Sequence, residues 1–246
     1  IVTPGTETQA GRAEAAHTRL VRAREADLHT RLIYDWHRRA ALVDHFLGED
    51  ATLDGFYRSR YAELGDFANQ PYTPALIRRA GGGRTLIMRR DGHVWHRGVQ
   101  LPVTVEKAIT ARAGSDTLEV VYNITNGDSG ELQTRFGIET SWGLAGGNDD
   151  HTYLSIGFGR FSLAEIASND EVDDYLITSE LWKLAIDVQV DRQATLWRFP
   201  LETISASEGG FERNYQGSTL LLWWPLRLAP GESWRTSMTI RLSHRA

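Results

Sequence analysis

The feature that most constrains the fold is a recurrent alternation of mainly apolar and mainly polar side chains. It runs over nine positions in residues 234–242 and recurs in residues 118–125 and 184–191. Because successive side chains of a strand point to opposite faces, this period indicates strands with one buried and one solvated face. About ten such segments joined by short turns predict an all-β fold, a large antiparallel two-sheet sandwich.

The first part of the chain has a different pattern. Residues 6–32 contain good helix formers, no proline, and alanine or leucine at three- and four-residue steps. We therefore predict two regions: a helical lead-in from an upstream domain at 1–33 and the β-sandwich at 34–246. Thr52 is predicted to cap a short helix. Since the chain starts at Ile1 without a signal-peptide pattern, we expect it to be a segment of a longer protein.

The amino-acid composition argues against several classes of binding partner. The chain has no cysteine, which excludes disulfides and thiolate metal sites and fits a cytoplasmic location. The net charge is −5 and no basic stretch forms a patch, so we expect no nucleic-acid partner. No apolar run approaches the roughly 20 residues of a membrane-spanning helix, so we expect no membrane partner.

Four stretches together resemble a known family. They are "YDWHRRAALVDHFL" (34–47), "ELGDFANQPY" (63–72), "EKAITARAGSDTLEVVYNITN" (106–126) and "PLETISASEGGFERNYQGS" (200–218). In this order they resemble the C-terminal β-domain of family 57 glycoside hydrolases, which include α-amylases and 4-α-glucanotransferases. The resemblance covers the chain from about Tyr34 onward.

The resemblance implies a fold, a partner and a substrate class. The fold is a galactose-mutarotase-like super-sandwich, the partner is an upstream catalytic barrel of the same polypeptide, and the substrate is an α-glucan oligosaccharide. The family's catalytic carboxylates lie in that (β/α) barrel. Because no repeated βα units occur in this chain, no catalytic residue is assigned here.

Side chains that suit contact with a sugar are distributed over several segments. The candidates are His96, Glu139, Trp142, Glu208, Glu212, Arg213 and Tyr215. Glu139 lies in an otherwise apolar strand, where an inward carboxylate needs a partner. Structural pairing with Arg135 or Arg198 is the alternative to a ligand contact.

The segment "SEGGFERNYQGS" (207–218) is interpreted as the connection between two long strands. Three roles are open for its charged residues. They could form a local ion pair with hydrogen bonds, line a cleft that touches sugar, or form an acid/base site. After it, Trp223 and Trp224 point to opposite faces of a strand, so we predict that one of them packs on the upstream barrel or, as a minority interpretation, offers a sugar platform.

Three functions remain open at this point. The first is a non-catalytic accessory domain of an α-glucan-acting enzyme. The second is an independent mutarotase-like enzyme, which would need a glutamate base beside a histidine acid such as His93, His96, His151, His37 or His45. The third is a purely structural sandwich.

Metal binding receives little support from the sequence. Residues 148–150 offer oxygen atoms of the kind that calcium takes, but no EF-hand-like spacing follows. We assign no metal ligand and no cofactor.

Overall fold

A computed structural model describes residues 28–78, 83–127, 130–144, 146–147, 149–207 and 210–244. The first six strands are β1 Ala41–Leu47, β2 Thr73–Arg78, β3 Arg84–His96, β4 Val99–Ala111, β5 Thr117–Asn126 and β6 Leu132–Trp142. The other six are β7 Thr152–Ile156, β8 Gly159–Ser162, β9 Ala167–Ser179, β10 Leu184–Ser207, β11 Gly210–Leu228 and β12 Ser233–His244. A 3-10 turn, Leu28–Arg31, precedes β1, and a short helix, α1 Leu53–Tyr57, lies between β1 and β2.

The strands pair antiparallel in the order β1-β6-β11-β10-β12-β5-β4-β3-β2. Strand β9 also pairs with β10, and β7 and β8 continue from β9. The first part of β10 pairs with β12 and the last part with β11, so the sheet divides at β10 into two layers. The predicted antiparallel sandwich is confirmed.

Aromatic contacts between strands that do not pair show how the two layers face each other. The ring of Phe136 on β6 lies 5.7 Å from that of Tyr122 on β5 and 5.8 Å from that of Trp234 on β12. The Trp224 ring on β11 lies 5.6 Å from the Trp234 ring. The buried core therefore lies between the β1-β6-β11 layer and the β12-β5-β4 layer.

The outer face of the β1-β6-β11 layer is covered as well. Phe56 and Tyr57 of α1 pack with Leu47, Trp197 and Phe199 in a second buried cluster. Helix α1 begins as predicted, because the Thr52 Oγ1 accepts a hydrogen bond from the Gly55 amide at 3.1 Å. Side chains on this outer face are therefore removed from water.

One strand is longer than its alternation indicated, and one sequence prediction is wrong. Residues 184–207 form a single strand that extends beyond the alternating segment 184–191, because a bulge between Gln189 and Ala194 lets the chain continue without a turn. Residues 210–218 are strand rather than a connecting loop: Ser207 pairs with Gly210, and only residues 208 and 209 lie between β10 and β11. Those two residues lie outside the described part of the chain.

The helical lead-in falls mostly outside the described residues, and its last described residues, 28–31, form the 3-10 turn. Among the residues that the structure describes, no helix has the length and apolar character needed to cross a membrane.

Candidate functional site

A buried polar cluster lies on the covered outer face, centred on the carboxylate of Glu139. Its Oε2 accepts a hydrogen bond from the Arg39 Nη1 at 2.7 Å and lies 3.0 Å from the His37 Nε2. The His45 Nε2 lies 3.3 Å from the same oxygen. The side chains of Glu139, His37 and His45 are 0% exposed, and that of Arg39 is 6% exposed. We call these four residues the Glu139 cluster.

The pairing of β1 with β6, together with the segment just before β1, brings the four residues of the Glu139 cluster together. Strand β1 pairs with β6, and its alternation turns Phe46 toward the inter-layer core and His45 toward the outer face. His37 and Arg39 come from the segment just before β1. The second ring nitrogen of His45, Nδ1, lies 2.8 Å from the Oε2 of Glu63, whose other oxygen accepts from the Phe46 amide at 2.7 Å.

The cluster fixes the charge of its members. Burial alone would raise the pKa of Glu139, but His37, His45 and Arg39 together hold that pKa well below its usual range. Burial alone would lower the pKa of His45, but the carboxylates of Glu63 and Glu139 on its two sides raise it to about 9. A carboxylate with a lowered pKa and no exposed surface is poorly suited to act as a general acid and does not reach a substrate.

Two buried atoms of the cluster, the Oε1 of Glu139 and the Nδ1 of His37, have no hydrogen-bond partner, and the Nε2 of His45 faces the Oε2 of Glu139 at 3.3 Å. One ligand atom from each of these three residues lies within 4.8 Å of the others. Of the described residues, this is the set that could hold a metal ion.

The predicted partners of Glu139 are wrong. Arg135 instead donates to the carbonyls of Ala51 at 2.8 Å and Glu49 at 2.7 Å. Arg198 instead donates to Asn169 at 3.1 Å and Glu165 at 3.0 Å. Arg135 and Glu139 are four positions apart on β6, roughly 13 Å along the strand, which is beyond the reach of the arginine side chain.

The other sugar-contact candidates are not brought together around Glu139. His96 ends β3, in the opposite layer, and Trp142 ends β6, half-buried against the core. Glu212 is half-buried on β11, and Glu208 lies outside the described residues. The Nη1 of Arg213 lies 3.3 Å from Glu202, its ion-pair partner across the β10–β11 hairpin.

Tyr215 has a packing role. Its hydroxyl lies 2.7 Å from the Ser218 Oγ, and its ring lies against the backbone of Gly147. We expect Gly147→Ala to lower the free energy of unfolding by about 1–3 kcal/mol, because a β-carbon there would overlap the ring. Chemical denaturation measures this. Gly143→Ala is the matched control, since a β-carbon at Gly143 has open space; equal losses in both variants would contradict the assignment.

In the loop at residues 148–150, which offers oxygen atoms of the kind that calcium takes, Asp149 accepts backbone hydrogen bonds instead. The Oδ1 of Asp149 accepts hydrogen bonds from the amides of His151 at 2.9 Å and Thr152 at 2.8 Å. Asp149 thus closes a turn, and Asn148 lies outside the described residues.

An open cavity of about 330 Å³ adjoins the Glu139 cluster. Asp35 and Arg39 line it on the cluster side, and Tyr57, Phe199 and Gln216 line it elsewhere. The combination of aromatic faces with charged and amide groups is of the kind that contacts sugar rings and hydroxyls. No sequence pattern indicated this cavity, because its walls come from segments far apart in the chain.

Comparison with known proteins agrees with this architecture. The family described as "Alpha-amylase/4-alpha-glucanotransferase, C-terminal" matches residues 3–238. The chain is 28% identical over 200 residues to a 4-alpha-glucanotransferase of Thermococcus kodakarensis, covering 81% of this chain and 26% of that protein. It is 26% identical over 231 residues to Alpha-amylase 1 of Dictyoglomus thermophilum, covering 94% of this chain and 32% of that protein.

Solved structures share the fold. The crystal structure of 4-alpha-glucanotransferase from Thermococcus litoralis matches with a TM-score of 0.70 and 23% identity, over 94% of this chain and 31% of that one. A putative aldose 1-epimerase from Escherichia coli K12 matches with a TM-score of 0.53 and 14% identity, over 83% of this chain and 81% of that one. The sandwich is thus of the mutarotase-like type, and the chain spans about a quarter to a third of the enzymes it matches.

Proposed function

Because the chain belongs to the alpha-amylase/4-alpha-glucanotransferase C-terminal domain family, we propose that it is a non-catalytic accessory domain of an α-glucan-acting enzyme. The enzyme would be a glycoside hydrolase or a 4-α-glucanotransferase. The domain would support an upstream catalytic barrel of the same polypeptide and offer that barrel's α-glucan an additional contact.

The observation that carries the proposal is the sequestration of Glu139. Mutarotase-like chemistry needs a carboxylate and a histidine that both reach the sugar. Here the carboxylate and its two histidines are 0% exposed and closed in by Arg39. The likeness to the putative aldose 1-epimerase concerns the fold and leaves this chemistry without support in the cluster.

Two surfaces suit the accessory role. Tyr34 is 83% exposed, and the neighbouring Leu32 and Trp36 are 41% and 40% exposed. These apolar side chains stand just before β1 and form the surface that we assign to the upstream barrel. The cavity beside Tyr57 and Phe199 is the surface that we assign to the glucan.

A calorimetric titration with maltooligosaccharides, paired with an anomerisation assay, tests this function. We expect a dissociation constant on the order of 1 mM and no catalysed anomerisation. Gln216→Ala, in the cavity wall, should weaken binding about fivefold, because a neutral hydrogen bond contributes about 1 kcal/mol. The matched control is Gln100→Ala, on the exposed surface of β4.

Three outcomes are distinguishable. Catalysed anomerisation that is lost in Glu208→Gln would replace the accessory role with the mutarotase-like one. Binding that Gln216→Ala leaves unchanged would move the glucan contact away from the cavity. No binding to any oligosaccharide would favour a purely structural sandwich.

A further inference from the structure

We infer that His37, His45 and Glu139 form a binding site for a divalent transition-metal ion, with zinc as the preferred occupant. The site goes beyond the accessory function and does not depend on it. Its role is structural: it would fasten the segment before β1 to the outer face of strand β6.

The spacing of the ligand atoms fits such an ion. The Nε2 atoms of His37 and His45 lie 3.0 Å and 3.3 Å from the Oε2 of Glu139. A tetrahedral zinc ion with bonds of about 2.0–2.1 Å holds its ligand atoms about 3.3–3.4 Å apart. Two of the three separations therefore match those around a tetrahedral ion, and the third, between the two histidines, lies within 4.8 Å.

An unpartnered atom points to the same conclusion. The Oε1 of Glu139 is buried and has no hydrogen-bond partner. Its lone pairs face the space beside the two histidines, where a metal ion would take them up.

The surroundings of the three ligands already resemble the outer shell of a metal site. The Nδ1 of His45 lies 2.8 Å from Glu63, which leaves the Nε2 directed at Glu139. A histidine held by a carboxylate in this way is the usual arrangement around protein-bound zinc. The Arg39 Nη1 donates to the Oε2 of Glu139 at 2.7 Å, and such a bond orients a ligating carboxylate.

Charge favours a divalent ion. The carboxylates of Glu139, Glu63 and Asp35 contact one arginine, Arg39, and the two histidines, and a divalent ion would take the place of the proton that His45 holds between Glu63 and Glu139. Two imidazoles and one carboxylate suit zinc, whereas calcium and magnesium prefer oxygen ligands alone. Asp35 and Arg39 also line the open cavity, which gives an ion and a fourth ligand such as water a way in.

The test uses the full chain, dialysed against EDTA and then titrated with zinc. We expect one tightly bound zinc per chain by elemental analysis and a higher melting temperature. Glu63→Gln should weaken zinc binding 10–100-fold, as expected for loss of an outer-shell carboxylate. His45→Gln should abolish stoichiometric binding. The matched control is His151→Gln, which removes an exposed histidine 3.1 Å from Glu180 and should bind like the wild type.

Several results would overturn the site. The wild-type chain could take up no zinc, or His45→Gln and Glu63→Gln could bind as tightly as His151→Gln. Should His45→Gln fail to fold, cobalt bound to the wild-type chain gives an independent readout. Intense visible absorption, typical of four-coordinate cobalt and removed by zinc, would support the site; the weak spectrum of hydrated cobalt would refute it.

Discussion

Replacing Glu139 with alanine is expected to lower the free energy of unfolding by about 3–5 kcal/mol in buffer containing EDTA. The replacement leaves two buried cations, Arg39 and the imidazolium of His45, without the carboxylate that lies between them. Because single domains are stable by about 5–15 kcal/mol in total, this loss would remove a large fraction of the free energy of unfolding. Urea denaturation followed by tryptophan fluorescence measures the difference.

The control for this variant is an ion pair with a similar nitrogen–oxygen distance whose two side chains are exposed to solvent. The Arg112 Nη1 lies 2.6 Å from Glu119, but the two side chains are 60% and 44% exposed. Glu119→Ala should therefore cost no more than about 1 kcal/mol. A loss below 1 kcal/mol in Glu139→Ala itself would mean that the Glu139 cluster relaxes into water when its centre is removed.

The second large effect is expected inside the sandwich, where the Nζ of Lys107 on β4 lies 2.8 Å from Asp44 on β1. The same Nζ donates to the Leu42 carbonyl at 2.6 Å, and the hydroxyl of Tyr72 donates to Asp44. Lys107→Met should destabilise the chain by about 3–5 kcal/mol, because it leaves the Asp44 carboxylate buried without a cation. Thermal and urea unfolding both measure this loss.

A double-mutant cycle separates the ion pair from simple packing. Asp44→Asn keeps an acceptor for Tyr72 but removes the charge, so the double variant with Lys107→Met no longer buries an unpaired ion. We expect the double variant to be more stable than Lys107→Met alone, with a coupling energy of about 1–3 kcal/mol. Strictly additive losses would show that the charge of Asp44 is balanced by other groups.

Local signals predicted the strands and one cap well. The alternation around Val120, Tyr122 and Ile124 predicted a buried face, and all three are buried in the core between the layers. Thr52 caps α1 as its position before the helix indicated. These features depend on neighbouring residues, which the sequence shows directly.

The site was less accessible to prediction, because its contacts join distant parts of the chain. His37 and Glu139 are separated by 102 positions, and His45 and Glu63 by 18. Histidine, arginine and aspartate crowd the stretch before and within β1, but no spacing rule connects them to a glutamate in β6. The alternation marked only residues 184–191 of β10, because a bulge after Gln189 disturbs the pattern of a continuous strand.

The continuous strand β10 belongs to both layers and connects them through its backbone. Its residues 184–190 bond to β12 of one layer, its residues 195–207 bond to β11 of the other, and β9 bonds along both parts. The two layers are therefore joined by the backbone hydrogen bonds of β9 and β10, and the bulge between Gln189 and Ala194 is the place along β10 where the strand passes from one layer to the other.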